Sequence, residues 1–271
     1  MPPLIPITPT SSLGLPAASP GLVEFGLKFT GGGTHISRTI MLAELETLLA
    51  AVPMGSPASE YRDAILLRNV LGKTTDSTRQ KSLRHLRELY ALDEEIPVFK
   101  LLRTLHALDA ASLPLLAMQV AWSRDHLLRS TTPAVLNVSE GEHVESKALA
   151  QAVLEAFPDH YSELNINKIG RNAAASWTQS GHLAGRANKV RRRIKPTVVA
   201  VTLALFLGDA AGYHGASVFS NPWCRLLDLD PDRAKSMGFE AHRAGLINLR
   251  AVGEVVELSF PMFAEFQVPQ P

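Results

Sequence analysis

The sequence predicts a mainly α, multi-lobed protein with helix-turn-helix and winged-helix elements and short β-hairpins. Three observations lead there. Apolar residues recur at three- and four-residue spacing, proline and glycine fall at the ends of those runs, and aromatic residues are only 6% of a chain rich in Leu and Ala. At 271 residues the chain exceeds the usual size of one domain. Four segments are expected: a Pro- and Ser-rich disordered leader over 1–24, an N-terminal helical domain with a helix-turn-helix over 25–135, a basic winged-helix-like domain over 136–196, and a helical, winged-helix-like domain over 197–271.

The glycines at 21, 26 and 31–33 argue for a loop or extended segment over 21–35. Ile40, Leu42, Leu45, Leu48 and Leu49 then set a helix over 37–52, stopped by Pro53 and Gly55. A second helix is expected over 59–71, closed by Gly72. A polar turn over 73–77 caps a third over 78–92, completing the helix-turn-helix. On that third helix Arg79, Lys81, Arg84 and Arg87 face solvent, while Leu83, Leu86 and Leu89 or Tyr90 face the core. Helices over 97–108 and 112–128 come next, followed by a short strand or linker over 135–139. Glu140, Glu142, His143 and Glu145 form an acidic loop without metal-ligand spacing, so it reads as solvated.

Leu149, Val153, Leu154 and Phe157 mark a helix from 146 that Pro158 ends. A polar connection over 159–165 leads to a helix over 166–179, with Gly181 at its C-terminal cap. Gly185-Arg186-Ala187-Asn188 turns a hairpin whose return strand spans 189–195, with Val190 and Ile194 among its basic side chains. Helix, turn, helix and basic hairpin is the element order of a winged helix, whose second helix enters the major groove. Asn167, Lys168, Arg171 and Asn172 fall early on that helix, within reach of base edges or phosphates. Arg186, Lys189, Arg191, Arg192, Arg193 and Lys195 belong to the wing and suit phosphate contacts. Ala173, Ala174 and Ala175 permit close packing, and Trp177 reads as a core anchor.

The apolar stretch over 197–207 is shorter than the roughly 20 residues a membrane span needs, so it reads as a buried helix. Asp230 caps a helix with Pro231 at its first position, and Gly245 ends it. A hairpin over 247–250 and 254–260 follows, with Val256, Leu258 and Phe260 on one side. Its Glu254 and Glu257 repel phosphate, so this second unit reads as a packing or partner-binding module.

Net charge is only +1, but from Leu164 to Gly208 there is no acid, while Lys168, Arg171, Arg186, Lys189, Arg191, Arg192, Arg193 and Lys195 lie inside. The remainder is therefore net acidic. Segregated charge of this kind attracts a polyanion to one face. Double-stranded DNA is the expected partner, with Lys73, Thr75, Ser77, Arg79, Lys81 and Arg84 of the helix-turn-helix as a second contact. The blander readings are a solvated helix face at 78–92, and a basic segment that pairs with acids elsewhere or with acidic lipid.

Catalytic signatures are not found. Gly72-Lys73-Thr74 ends like a phosphate-binding loop, but Leu67 stands where a glycine is required. His35, His106, His160, His182, His214 and His242 show neither zinc spacing nor a neighbouring serine motif. Cys224, the lone cysteine, reads as a buried hydrophobe. The expectation is a non-enzymatic cytoplasmic protein without cofactor or metal. No signal peptide and no membrane association are expected.

Asn69-Val70-Leu71-Gly72-Lys73 with Thr74-Thr75-Asp76-Ser77-Thr78-Arg79, and later Ser176-Trp177-Thr178-Gln179-Ser180-Gly181-His182-Leu183, resemble the BrxA-type family of bacterial BREX phage-defence systems. The resemblance runs from about Phe25 to Phe266, and this chain is longer at its N-terminus than the family core. It implies a mostly helical DNA-binding accessory protein acting beside a methyltransferase and other phage-defence subunits. Two other readings stay open: a scaffold docking an acidic partner subunit, and a sequence-specific transcription regulator.

Overall fold

Prolines and capping side chains start most of the helices, and buried apolar stripes hold them together. The computed structural model describes residues 15, 17–29, 33–252 and 255–266. It is mainly helical, with two short antiparallel hairpins.

Helix α1 (Pro20–Phe25) is capped by Ser19 and ends at Gly26, whose φ of 110° suits glycine. This corrects both the leader and the loop expected there: Pro20 presets the helical φ despite Gly21, and Leu22 and Phe25 are buried. The rest of the expected leader, 1–14 and 16, lies outside the described residues, as do Gly31 and Gly32. Helix α2 (Leu42–Ala51) starts later than its apolar spacing suggests, because Met41 is left-handed (φ 52°) and the Ile40 amide is held by Ser176. Helix α3 (Ala58–Leu66) stops well before Gly72, and the link to α4 (Asp76–Tyr90) spans 67–75. Within it the Asn69 amide clasps the Lys73 N–H at 2.8 Å and C=O at 3.0 Å. The connection is longer than the roughly three or four residues of a tight helix-turn-helix, which corrects that expectation.

Helix α5 (Pro97–Leu108) has the expected bounds. The single helix expected over 112–128 is instead α6 (Leu113–Arg124) and α7 (His126–Ser130), broken at Asp125, whose backbone is extended and whose carboxylate caps the Leu127 and Leu128 amides. The strand or linker expected over 135–139 is replaced by α8 (Pro133–Leu136), started by its proline.

Helices α9 (Ser146–Ala156) and α10 (Glu163–Gln179) cross closely at Gly170, where a Cβ would lie 2.5 Å from the Ser146 carbonyl oxygen. Ser162 caps α10, so the helix begins earlier than expected, and Gly181 follows it at φ 86°. Strands β1 (Leu183–Ala184) and β2 (Val190–Arg191) pair antiparallel, Leu183 opposite Arg191. Beyond Arg192 the chain leaves the pair, short of the expected strand end at 195. The acidic stretch expected as a loop supplies a third edge: Gly141 N to Arg191 O, Arg191 N to Glu142 O and Val144 N to Lys189 O are each 2.9 Å. The order is therefore 141–144, β2, β1, with α9 and α10 inserted between the first and last, the arrangement of a winged helix.

Helix α11 (Val198–Ala210) is buried along most of its length, and no helix among the described residues is long and apolar enough to cross a membrane. Helices α12 (Pro222–Leu226) and α13 (Pro231–Arg243), the latter capped by Asp230, lead to β3 (Asn248–Val252) and β4 (Val255–Ser259). Val256 and Leu258 are half-buried and Phe260 is buried, as the alternation predicts, whereas Gly253 and Glu254 lie outside the described residues. Cys224 is buried, and burial pushes its thiol up to about 12.

Packing crosses both expected boundaries, at 135 and at 196. Trp122, Trp177 and Trp223, one from each expected domain, are fully buried in one apolar cluster. Their indole N–H groups reach Thr132 (2.8 Å), Thr131 (2.9 Å) and Ser123 (2.8 Å). The break at Asp125 is fixed from a distance. Its Oδ2 accepts from the His35 ring Nδ1 at 2.8 Å and from the His35 amide at 3.2 Å, and the other ring nitrogen lies 2.8 Å from Ser176 Oγ. Burial opposes the Asp125 charge, but His35, the His126 ring and the Leu128 amide outweigh it and hold the carboxyl well below the usual carboxylate range.

Asp125→Asn is expected to cost about 3–5 kcal/mol in urea denaturation, because it removes the buried charge and sets an amide NH2 against N–H donors, either those of His35 or those of Leu127 and Leu128. Since the folded pKa is depressed, the wild-type contribution should be full above the unfolded value of about 3.9. It should be lost as pH falls through the folded value, narrowing the gap between the two proteins in acid.

Candidate nucleic-acid interface

Helix α10 has an apolar inner stripe, Ile166, Ile169, Ala173 and Trp177, all buried. Its outer stripe exposes Leu164, Lys168 and Arg171 and continues through the half-buried Ala175 and Thr178. At that end Lys189 Nζ donates to Thr178 Oγ1 at 2.8 Å, which ties the wing to the same edge of the helix. Arg186 is exposed at the wing turn, and Arg192, Arg193 and Lys195 are exposed beyond β2. Among the described residues, none of Lys168, Arg171, Arg186, Arg192, Arg193 and Lys195 is in an ion pair. Arg193 has a carboxylate nearby, because its amide donates to Glu140 Oε1 at 3.3 Å.

Three residues expected on this surface serve the fold instead. Arg191 is only 2% exposed and is ion-paired with Asp228, and its guanidinium also donates to the Arg192 carbonyl. It therefore cannot reach phosphate. Asn172 turns inward and donates to the His35 carbonyl at 2.8 Å, and the Lys189 ammonium is engaged as described. The wing root is fixed further by His182, whose ring nitrogens lie 2.8 Å from Ser180 Oγ and 2.8 Å from the Leu226 carbonyl. Burial pushes this imidazole down to about 4, the Leu226 bond only partly offsetting it, so the ring is neutral at pH 7. It must then donate to Leu226 from Nε2.

The second expected contact is divided in the same way. Lys73 pairs with Glu44 at 2.9 Å, Thr75 caps α4 through the Thr78 amide, and Arg79 holds the Leu66 carbonyl at 3.0 Å and pairs with Asp76. Ser77, Lys81 and Arg84 are exposed. Arg84 borders a surface groove of about 330 Å³ that Lys28, Gln80, Leu83, Arg87 and Glu88 also line. Lys28 reaches it from the chain after α1, and Arg87, expected only as a solvent-facing residue of this helix, lies one turn beyond Arg84.

Asp125, His35 and Ser176 stand in the order of a hydrolytic triad, which nothing in their sequence spacing signals. The arrangement has no room for that chemistry. His35 and Ser176 are 0% exposed and Asp125 is 2% exposed, and Ser176 Oγ already accepts the Ile40 amide at 3.0 Å. It acts as a structural pin.

Arg191→Ala is expected to lose about 3–5 kcal/mol by stranding Asp228. Arg192→Ala and Arg193→Ala should stay within about 0.5 kcal/mol of wild type in the same denaturation assay. The pH dependence at His182 has a defined sign: its folded pKa lies below the unfolded value of about 6.5, so stability is full above that value and erodes as pH falls towards the folded one. The urea midpoint should drop between about pH 7 and pH 5. His182→Gln should flatten that slope without abolishing it, because burial likewise lowers His126 to about 4.

No protein-family model matches the chain and no curated protein matches it.

Proposed function

We propose that the protein is a non-enzymatic accessory protein that binds double-stranded DNA, mainly through phosphates, by way of α10 and the wing. The observation that carries this reading is the set of six exposed cations on α10 and the wing that no carboxylate pairs among the described residues. Uncompensated cations lower the free energy of a bound polyanion by releasing its counterions. The α4 cations Lys81 and Arg84 supply a second, weaker contact.

The resemblance to the BrxA-type family supports service in a cytoplasmic phage-defence complex, beside other defence subunits. A protein contact has its own support at the other end of the chain. Val252 and Val255, at the tip of the β3–β4 hairpin, are 80% and 66% exposed, an apolar pair suited to a partner surface.

Fluorescence anisotropy with a duplex, titrated across salt, tests the DNA reading. Log affinity should fall against log salt with a slope of about −0.9 for each phosphate neutralised. The triple variant Lys168→Glu, Arg171→Glu, Arg186→Glu, all exposed on α10 and the wing turn, should lose most binding and shorten the slope; Arg191 is left intact because it holds the fold. Unchanged affinity in that variant would sink the assignment.

A further inference from the structure

Leu164 is 76% exposed on the first turn of α10, although the inner stripe of the helix is already complete without it. An exposed leucine alone is unremarkable, but this one shares an edge with Asn167, Lys168 and Arg171 at helical i, i+3, i+4, i+7 spacing. Seven residues of helix rise about 10.5 Å, which matches about three base-pair steps of 3.4 Å. The side chains also differ in chemistry along the edge: two methyls, an amide with donor and acceptor, an ammonium and a guanidinium fork. A surface serving phosphate alone needs only the last two.

Resting on the DNA-binding reading above, we infer that the first two turns of α10 read a core of about three base pairs in the major groove. In that core Leu164 packs on a thymine methyl and Arg171 reads guanine. Thymine alone presents a C5-methyl in that groove, and guanine O6 and N7 match an arginine fork. Asn167, half-buried and with no side-chain partner among the described residues, has the amide that matches adenine N6 and N7. Asn172 cannot join them, since it holds the His35 carbonyl. The wing, whose exposed side chains are cationic, contributes position and not base identity.

The test selects bound duplexes from a randomised pool with the full chain, then replaces thymine by uracil in the enriched core. Losing the methyl should weaken wild-type binding about fourfold, the worth of one buried methyl-sized group. Leu164→Ala should bind thymine and uracil duplexes equally while keeping the salt slope; its side chain is exposed, so the fold survives the change. Arg171→Ala should relax the guanine preference about tenfold. No enriched core overturns base reading, and a thymine–uracil difference that persists in Leu164→Ala overturns the part assigned to Leu164, while salt-dependent binding still upholds the backbone reading in either case. Absence of salt-dependent binding by wild type overturns both.

Discussion

The contact between the buried His35 imidazole and the Asp125 carboxylate sets the geometry on which the rest depends. It joins three pieces of chain that have no ladder or coil in common: the turn at Thr34–Ile36, the break between α6 and α7, and, through Ser176, the middle of α10. Helix α10 offers that turn a polar edge. Asn172 donates to the His35 carbonyl, Ser176 accepts the Ile40 amide, and Gln179 accepts the Leu42 amide at 3.3 Å while donating to Thr39 at 3.1 Å. Residues at i, i+4 and i+7 thereby satisfy backbone groups of a segment with no strand partner, where each unmet group would be costly. Once that edge is engaged and Trp177 is buried, the rotation of α10 is fixed, and Lys168 and Arg171 must face outward.

The wing is held by the C-terminal module as much as by its own helices. Asp228 sits at φ 57°, and its carboxylate takes both the Arg191 guanidinium and, at 3.1 Å, the Ile194 amide. His182 reaches the Leu226 carbonyl two residues earlier. A two-residue strand pair has little stability of its own. Its order comes from these anchors, so the two modules share a root and do not swing as beads on a linker.

The parts that could be read from the sequence are those governed by local rules. Pro97 starts α5 and Pro231 with Asp230 starts α13, Gly181 closes α10, and the 3.6-residue spacing fills the inner faces between. What could not be read depends on partners remote in the chain. On β2 successive side chains face opposite ways, and hydropathy chooses Val190 for the interior; the structure buries Arg191 more deeply, because Asp228 waits there. The charge count within 164–208 rightly finds no acid, yet for Arg191 neutralisation arrives from outside the segment, at Asp228. The break at Asp125 is a further case. Its apolar neighbours continue a helical pattern, and only a histidine far earlier in the chain makes the extended conformation there worthwhile. Of the N-terminal residues expected to meet phosphate, Lys73 and Arg79 are engaged by Glu44 and by the Leu66 carbonyl, partners that local spacing does not reveal, whereas Thr75 caps α4 locally.

The order of the small sheet decides how the remaining charge acts. Glu140, Glu142 and Glu145 belong to or flank the 141–144 edge, while β1 forms the opposite edge and follows directly from α10. Two strand spacings, about 10 Å, separate the edges, close to one Debye length at 0.1 M salt. Over that distance the acids do not pair with the cations of α10 and the wing turn; on the DNA-binding reading they disfavour approach of a polyanion from their own side. On the DNA-binding reading, a chain with a net charge of only +1 can thus present a positive face, because Glu140, Glu142 and Glu145 are set at the far edge of the unit, while Glu163 on the first turn of α10 stands nearer to that face. Arg193, whose amide donates to Glu140, lies close to that acidic edge, whereas Lys168 and Arg171 stand on α10 and Arg186 at the wing turn.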